Sequence, residues 1–308
     1  MNHKIFALSF CVLANVFLAC NKDEINEKLL KEDQKLAEYM AGIPDAVQLS
    51  DGLYIDAPGN PENGLQPEAG DYVLVDYICK SLYSGTTEAV SYKEYVEDGV
   101  WIPCAYKSGG PELWELGKPL FGRHAGIGQM VEGQTANIYF SSRYYNQDFI
   151  TRVYYITLKK VIKVKDVSLK AYQETLMSNY LKRYGDDVDS VKISDNNGND
   201  YYLMYHVNNI GTGAKVTGNF VKTKTKESYL LMGNDVRLCV DKEDRIWNAD
   251  MGENMLKVLR QLNLGGKVIV MAPYKLIYGD NFYTINTNGY AQYLAPQGSV
   301  LIYDIDLQ

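Results

Sequence analysis

The feature that most constrains the fold of this chain is an order of sequence signals that occurs twice. Each series opens with apolar residues at helical spacing, at 24–42 and again at 168–184, and glycine follows each helical pattern. Short segments of alternating apolar and polar residues come next, and this period-two pattern predicts strands. The two series therefore predict an internal duplication with unequal loops.

The predicted strands of the two copies correspond in order. The last of them ends the chain, and its β-branched and aromatic residues predict that it pairs inside a sheet. Alternation also predicts that Lys222, Lys224 and Lys226 face solvent. The first copy has the longer early loop, which we place around 92–110. The predicted strands are 72–77, 135–140 and 152–158 in the first copy and 201–205, 220–225, 267–271 and 300–307 in the second.

Composition excludes some classes of function. The chain has 308 residues, 46% of them hydrophobic and 22% charged, which gives room for about two globular domains. Its formal net charge is −7, and its basic residues form no long stripe. We therefore expect no nucleic-acid partner. The 26 tyrosines suit strands and recognition surfaces equally well.

The N-terminus carries a targeting signal. Lys4 precedes an apolar run over 5–19 that is shorter than a membrane-spanning helix and typical of a signal peptide. The run ends in Phe-Leu-Ala-Cys, which resembles a bacterial lipobox, so we expect removal of residues 1–19 and lipidation of Cys20. A plain secretory peptide with an incidental cysteine is the alternative. The following Asn-Lys-Asp-Glu is similar to signals that send lipoproteins of Bacteroidetes-type bacteria to the outer surface.

These signals predict a lipoprotein of the cell envelope that is anchored to the outer membrane through Cys20. The inner and the outer leaflet are both alternatives for the position of the lipid.

The other cysteines, Cys79, Cys104 and Cys239, show neither metal-site nor redox spacing, so we expect buried thiols. A disulfide between Cys79 and Cys104 is the alternative. His124 and His206 have no ligand partner at helical or hairpin spacing. We expect no metal and no cofactor.

Several segments resemble FKBP-type peptidyl-prolyl cis-trans isomerases. In the first copy these are Pro-Glu-Leu-Trp-Glu-Leu-Gly-Lys at 111–118 and Gly-Ile-Gly-Gln-Met-Val-Glu-Gly-Gln at 126–134. In the second they are the segment 259–267, Ala-Pro at 272–273, Tyr-Gly at 278–279 and the closing 296–307. The resemblance implies an α+β fold with two domains. Each is a bent antiparallel sheet of five or six strands around a short helix, and each is preceded by an amphipathic helix.

The predicted boundaries follow from these matches. They are a signal peptide at 1–19, a tether and helix at 20–49, FKBP-like domain 1 at 50–163, a linker helix at 164–190 and FKBP-like domain 2 at 191–308.

The resemblance also implies an activity. The family catalyses cis-trans rotation about the peptide bond before proline, and the barrier to this rotation is about 18–20 kcal/mol. Such catalysis needs no nucleophile, because a dry aromatic pocket that binds the twisted amide more tightly than the planar one lowers the barrier.

In the second copy the resemblance implies a pocket that is formed mainly by residues near the C-terminus. The opposite side departs from the family's pattern, because an expected Phe-Asp pair falls on Val236 and Arg237 and a floor tryptophan falls near Met255. Trp247 is a possible substitute for that tryptophan. The implied pocket residues of domain 2 are Tyr278, Leu294, Ala295, Tyr303, Val236, Met255 and Trp247.

In the first copy the implied pocket is aromatic, but Arg123 takes the position of the floor tryptophan and opposes the binding of an apolar ring. Asn146 stands where a late tyrosine is expected. The implied pocket residues of domain 1 are Tyr77, Trp114, Leu120, Tyr144 and Tyr154.

These expectations define three hypotheses. The first is an exported lipoprotein, expected to be a monomer, that isomerises or chaperones proline-containing polypeptide segments of envelope proteins, with domain 2 as the better candidate enzyme. The alternative is a non-catalytic binding or scaffolding lipoprotein that keeps the fold. A third is a surface receptor for glycans or host proteins that uses the tyrosines. The sequence assigns no catalytic residue, and fold alone does not decide among the three.

Overall fold

The structure is a computed structural model of the chain. The described residues are 24–57, 63–91, 95–97, 100–102, 110–194, 198–233, 235–279, 284–287, 290–293, 295–296 and 298–308. The predicted signal peptide, Cys20, Cys104 and Leu294 lie outside them. Within these ranges no helix combines the length and apolar character needed to cross a membrane.

The first copy forms a seven-stranded antiparallel sheet preceded by helix α1 at residues 24–40. The sheet strands are β1 Val47–Ser50, β2 Leu53–Asp56, β3 Tyr72–Ser81, β4 Thr87–Val90, β7 Glu112–Glu115, β8 Thr135–Phe140 and β9 Arg152–Ile162. Two short strands, β5 (Tyr95–Glu97) and β6 (Val100–Ile102), pair within the long early loop. The strand order of the sheet is β1-β2-β8-β9-β3-β4, and β7 pairs with β3.

The second copy forms a six-stranded sheet. Its strands are β10 Asp189–Ser194, β11 Asp200–Asn209, β12 Phe220–Leu230, β13 Val236–Asn248, β14 Lys267–Pro273 and β17 Val300–Leu307. A separate hairpin consists of β15 (Thr284–Thr287) and β16 (Tyr290–Tyr293). The strand order of the sheet is β10-β11-β14-β17-β12-β13. Strand for strand, this order matches that of the first sheet, so the duplication predicted from the sequence is present in the topology.

The last strand of each copy lies inside its sheet. Strand β17 pairs with β14 on one side and with β12 on the other, and most of its residues are buried. Along β12, Thr223 and Thr225 are buried while Lys222, Lys224 and Lys226 are exposed. Both predictions, a terminal strand within a sheet and lysines that face solvent, are confirmed.

Short helices pack against both sheets. Helix α2 (Arg123–Ile127) is so close to β8 that a Cβ on Gly126 would lie 2.7 Å from Ile138. Helix α4 (Ala249–Leu259) buries an apolar face in the core of the second copy. A second pair of helices matches the predicted amphipathic helices: α1, and α3 (Leu169–Leu181), whose N-cap Ser168 accepts a hydrogen bond from the Ala171 N–H. The α+β class is therefore confirmed.

The chain divides into two compact units. Unit 1 comprises Met1–Ala69, Tyr77–Glu88 and Gly117–Leu158. Unit 2 comprises Gly70–Asp76, Ala89–Leu116 and Lys159–Gln308. Cys79 in unit 1 and Cys239 in unit 2 are buried cysteines, as expected.

Helix α1 is part of the core of unit 1. Leu36 and Met40 pack in one apolar cluster with Tyr54, Tyr139 and Val153 of the sheet. At Gly52, whose φ is +70°, a Cβ would collide with the carboxylate of Asp33, so a side chain there would displace that carboxylate. The region that the sequence predicts as tether and helix thus includes a structural helix of unit 1.

Buried acids of α1 hold a surface loop. Glu32 accepts hydrogen bonds from the N–H of Ser142 at 2.8 Å, from its hydroxyl at 2.6 Å and from the hydroxyl of Thr151 at 2.9 Å. Asp33 pairs with Arg143. Because the 3₁₀ turn Ser142–Tyr144 begins at Ser142, the carboxylate of Glu32 satisfies an N–H at the start of that turn.

We expect the change Glu32→Ala to destabilise unit 1 by about 2–3 kcal/mol, because it leaves several buried donors without their acceptor. The midpoint of thermal unfolding measures this effect. Glu27→Ala is the matched control, since Glu27 lies on the exposed face of the same helix and pairs with Lys31. Equal midpoints for the two variants would contradict a structural role for Glu32.

Candidate functional site

Unit 1 contains a partly aromatic cavity of about 250 Å³ beside helix α2. A volume below about 300 Å³ is small for a whole ligand of drug size and suits one ring with its flanking atoms. Phe121 and Tyr145 are 60% and 56% exposed, so they form the rim. The lining residues are Gly117, Pro119, Phe121, Arg123, His124, Phe140, Tyr144 and Tyr145.

The loop before α2 brings two aromatic rings together at this rim. Gly122 has a φ of +55° at the helix start, and a Cβ there would lie 3.1 Å from the Cβ of Tyr144. This close approach places the ring of Phe121 4.9 Å from that of Tyr144. The hydroxyl of Tyr144 donates to the Asp51 carbonyl at 2.7 Å and lies 2.6 Å from Oγ of Ser50. Tyr144 is therefore held at its Cβ by the close approach of Gly122 and at its hydroxyl by the contacts with Asp51 and Ser50.

The floor of the cavity is a guanidinium held by a tyrosine. Nη1 of Arg123 donates to the hydroxyl of Tyr154 at 2.9 Å, and its Cζ lies 5.5 Å from the centre of that ring. Tyr154 is buried between Tyr77, at 5.2 Å, and Phe140, at 5.6 Å between ring centres. Burial raises the pKa of Tyr154 well above its usual value. The hydroxyl thus stays protonated, and the ring stack fixes the position of Arg123.

Two further titratable groups of this region are neutral near pH 7. Burial, and then the charge of Arg123, lowers the pKa of His124 from 6.5 to about 4, and Nδ1 of His124 accepts a bond from the Gly117 N–H at 3.1 Å. Burial raises the pKa of the Cys79 thiol to about 11. The site therefore offers a positive charge and aromatic faces, and neither of these two groups supplies a nucleophile or acid poised near pH 7.

An ion-pair network anchors the loop that carries Tyr145. Arg152, with a side chain only 5% exposed, donates to both carboxylate oxygens of Asp148, at 3.0 and 2.6 Å, and to Glu88 at 2.6 Å. Its Cζ lies 4.6 Å from the centre of the Tyr145 ring. Two hydrogen bonds between one guanidinium and one carboxylate fix the relative orientation of the two groups and also strengthen their ion pair. The loop that carries the rim residue Tyr145 is thus held by the buried Arg152 and its two ion pairs.

In unit 2 the corresponding interior holds a buried carboxylate. Glu227 on β12 is fully buried, and its Oε1 accepts from the hydroxyls of Tyr278 at 2.7 Å and Tyr303 at 3.3 Å. Its Oε2 accepts from Nη2 of Arg245 at 2.9 Å. Burial, and then the charge of Glu227, raises the pKa of both tyrosines well above the usual value, so both hydroxyls remain donors.

Other large side chains fill the space around this network. Trp247 is buried edge-on against Tyr303, with 5.6 Å between ring centres, and its Nε1 donates to Oγ1 of Thr223 at 3.1 Å. Met255 of α4 is fully buried in the same cluster. Arg245 lies over the Trp247 ring, 5.1 Å from its centre. The interior of unit 2 is thus packed with side chains that bond to one another.

The structure brings together some of the predicted residues of domain 2. Tyr278, Tyr303, Trp247 and Met255 share one core cluster with Ala295, while Leu294 lies outside the described residues. Val236 does not join them: it is 37% exposed at the start of β13, opposite Leu230. Glu227 and Arg245 were not among the residues predicted from the sequence. The alternation that places Thr223 and Thr225 inward extends to Glu227, so period two is the signal that would have found it.

In unit 1, Tyr144 lines the cavity, and Tyr77 and Tyr154 form the stack behind its floor. Leu120 is half-buried beside Gly128 and is not part of the lining. Trp114 belongs to unit 2, where its Nε1 donates to Glu112 at 2.9 Å. Three lining residues were not predicted from the sequence: Phe121, Phe140 and Tyr145. No group of three or more His, Cys, Asp or Glu side chains among the described residues could hold a metal ion.

Solved structures similar to this chain include FKBP-type peptidyl-prolyl isomerases, the family that the sequence resembles. A peptidyl-prolyl cis-trans isomerase from Pseudomonas syringae is 18% identical, and the match covers 44% of this chain and 96% of that one, with a TM-score of 0.33. FkpA from Escherichia coli is 15% identical over 53% of this chain and 74% of that one, with a TM-score of 0.35.

The three FKBP domains of wheat FKBP73 match 83% of this chain and 93% of theirs at 15% identity and a TM-score of 0.27. At these identities and scores no residue role passes from those proteins to this chain. No protein-family model matches the sequence. No curated protein matches it either.

We expect Glu227→Ala to destabilise unit 2 by about 3 kcal/mol, because it leaves the half-buried Arg245 guanidinium and two tyrosine hydroxyls without their acceptor. Urea unfolding followed by tryptophan fluorescence measures the change. Glu243→Ala is the control, since Glu243 is an exposed acid on the neighbouring strand β13. A Glu227→Ala variant as stable as this control would refute the structural role of the network.

Proposed function

We propose that this chain is an exported, lipid-anchored protein that binds proline-containing segments of cell-envelope polypeptides in the cavity of unit 1 and isomerises the bond before proline. Unit 2 serves as a scaffold of the same fold. The observation that carries this proposal is the difference between the two interiors. Unit 1 has an open, partly aromatic cavity, whereas the corresponding interior of unit 2 is filled by the Glu227 network.

The cavity suits a proline ring. Proline is apolar and rigid, and aromatic faces such as those of Phe121, Phe140 and Tyr144 bind it without a large loss of conformational entropy. The fixed contacts of Tyr144 preorganise the wall before a ligand arrives. A preorganised aromatic site can favour the twisted amide over the planar one, which is the differential binding that isomerisation requires.

A second candidate function is binding without catalysis, in the cell envelope. Arg123 at the floor favours it, because a guanidinium beside an apolar ring disfavours the desolvated amide state on which the isomerisation depends. Under this alternative the protein holds proline-containing segments of partner proteins and leaves their isomer unchanged.

A peptide assay separates these functions. We expect the purified full chain to accelerate cis-trans isomerisation of short Xaa-Pro peptides, and Phe121→Ala to lower kcat/KM about tenfold through loss of an aromatic contact worth about 1–2 kcal/mol. Phe220→Ala, at a residue of unit 2 that is 73% exposed, is the matched control and should leave the rate unchanged.

Acceleration that is insensitive to Phe121→Ala but abolished by Tyr278→Phe would place the active site in unit 2 and refute the assignment to unit 1. Peptide binding without acceleration would retire the enzyme and leave the binding protein. Absence of both would contradict the proposed function in either form.

The lipid anchor has its own test. We expect the chain expressed in a Gram-negative host to partition into the membrane fraction and to incorporate labelled fatty acid, and Cys20→Ser to lose both properties because the thiol that receives the lipid is absent. Cys11→Ser, within the apolar run, is the control and should retain both. Membrane association that survives Cys20→Ser without label would indicate another mode of attachment.

A further inference from the structure

We propose that a second cavity, in unit 2, binds a neutral saccharide. Its volume is about 450 Å³, within the range of about 300–1,000 Å³ that is usual for sites that hold a whole small ligand. Every residue that lines it belongs to unit 2. The inference goes beyond the proposed function and does not depend on it, because the proline site has a different set of lining residues in unit 1.

Tyrosine rings form part of the wall of this cavity. Tyr274, at the start of helix α5 (Tyr274–Tyr278), is buried, whereas Tyr72 of β3 and Tyr201 of β11 are half-buried. The hydroxyl of Tyr72 donates to Oε2 of Glu115 at 3.2 Å, which orients the ring. Burial, and then the charge of Glu115, raises the pKa of Tyr72, so this hydroxyl remains a donor. The faces of such rings are slightly negative and attract the slightly positive C–H groups on the face of a sugar ring.

A buried glutamine presents a fixed acceptor to the cavity. Gln173 of α3 lines the cavity and is only 5% exposed. Its Nε2 donates to the carbonyl oxygens of Gly298 at 2.6 Å and of Ser299 at 3.3 Å. Both contacts use the amide nitrogen, so the amide group is held in one orientation, with Oε1 on the opposite side as an acceptor for a ligand donor. A hydroxyl group is such a donor.

The turn that holds Gln173 is itself closely packed. Gly298 has a φ of +85°, and a Cβ there would collide with the side chain of Leu113. The carbonyl of Ser299, which accepts one of the glutamine contacts, also accepts from the N–H of Tyr274 at 2.9 Å. The acceptor and the aromatic wall are therefore positioned before a ligand binds, which lowers the entropic cost of binding.

Charges of both signs meet at this cavity. Glu115 and Lys275 are exposed residues of its lining. Lys170, which also lines it, is half-buried and pairs with Glu174 at 3.9 Å. A strongly charged ligand would therefore be repelled by one group or another, whereas hydroxyls can donate to Glu115 and Gln173 and accept from Lys170.

A saccharide matches this combination of groups. In a pyranose the hydroxyls project from the edge of the ring and C–H groups cover its faces, so one sugar unit meets both the fixed acceptors and the tyrosines. A proline ring lacks such donors, which makes this site different in kind from the one proposed in unit 1.

Binding of disaccharides to the full chain tests this inference. The neutral probes are maltose, cellobiose and lactose, the acidic probe is di-galacturonic acid, and the polypeptide probe is the blocked peptide Ala-Ser-Tyr-Ala. Calorimetry and ligand-observed NMR measure the affinities. We expect at least one neutral disaccharide to bind with a dissociation constant of about 1 mM or below, with equal affinity at low and at high salt because a neutral ligand is not screened. Di-galacturonic acid should bind more weakly, since it brings further negative charge to Glu115.

Two variants of the cavity locate the effect. Tyr201→Ala and Glu115→Ala should each weaken saccharide binding about tenfold, through loss of an aromatic face and of a charged acceptor. Tyr155→Ala removes a tyrosine of β9 that is 41% exposed in unit 1, and Glu243→Ala removes an exposed acid of β13. These matched controls should leave the affinity unchanged. The melting temperature of each variant shows that it is folded.

Each outcome decides for or against the saccharide. Failure of all three neutral disaccharides to bind overturns the inference, and so does a saccharide affinity that survives Tyr201→Ala and Glu115→Ala. Tighter binding of di-galacturonic acid than of any neutral probe would assign the cavity to anions instead. Binding of the peptide alone, weakened by Tyr201→Ala, would assign it to polypeptides. Saccharide affinity that is reduced in both cavity variants and kept in both controls supports the inference.

Discussion

The fold of each copy depends on its last strand lying inside the sheet. Strand β17 pairs with both β14 and β12, and β9 lies between β8 and β3. Each sheet is therefore completed only by the end of its copy, through pairings between residues far apart in sequence. An internal strand has no free edge and buries both faces, which explains why 300–307 consists almost entirely of β-branched, aromatic and other apolar residues, with the acids at its partly exposed positions.

With this frame duplicated, the interiors of the two copies have diverged. The space beside α2 in unit 1 keeps an opening with aromatic walls, whereas the space beside α4 in unit 2 contains a carboxylate bonded to two tyrosines and an arginine. A fully bonded buried network specifies one arrangement of its side chains, and a network that lost one member would leave the others unsatisfied. The same sheet order thus supports a cavity in one copy and a rigid polar core in the other, which shows why fold does not decide function.

Buried charge plays a related part in unit 1, at a distance from the cavity. Glu32 of α1 binds the start of the turn that carries Tyr144, and Arg152 holds the loop that carries Tyr145. The rim aromatics are therefore positioned by acids and bases that do not line the cavity. Helix α1, which the sequence presents as part of a tether, is a component of the site's support.

Much of the architecture follows from local sequence. Period two and helical spacing locate α1, α3, β8 and β17 closely, because each pattern reflects which face of an element is buried. The domain boundaries and the lipid anchor at Cys20 stay predictions. The sequence resemblance implied which tyrosines lie near each interior. It favoured a pocket in domain 2, but Leu294 is outside the described residues and Val236 faces away from Tyr303.

Only the tertiary structure decided that Glu227 accepts hydrogen bonds from Tyr278, Tyr303 and Arg245. It also decided that Arg123 donates a hydrogen bond to Tyr154. These contacts join residues separated by between 18 and 76 positions, and which interior is filled or open is a property of packing that no local pattern encodes.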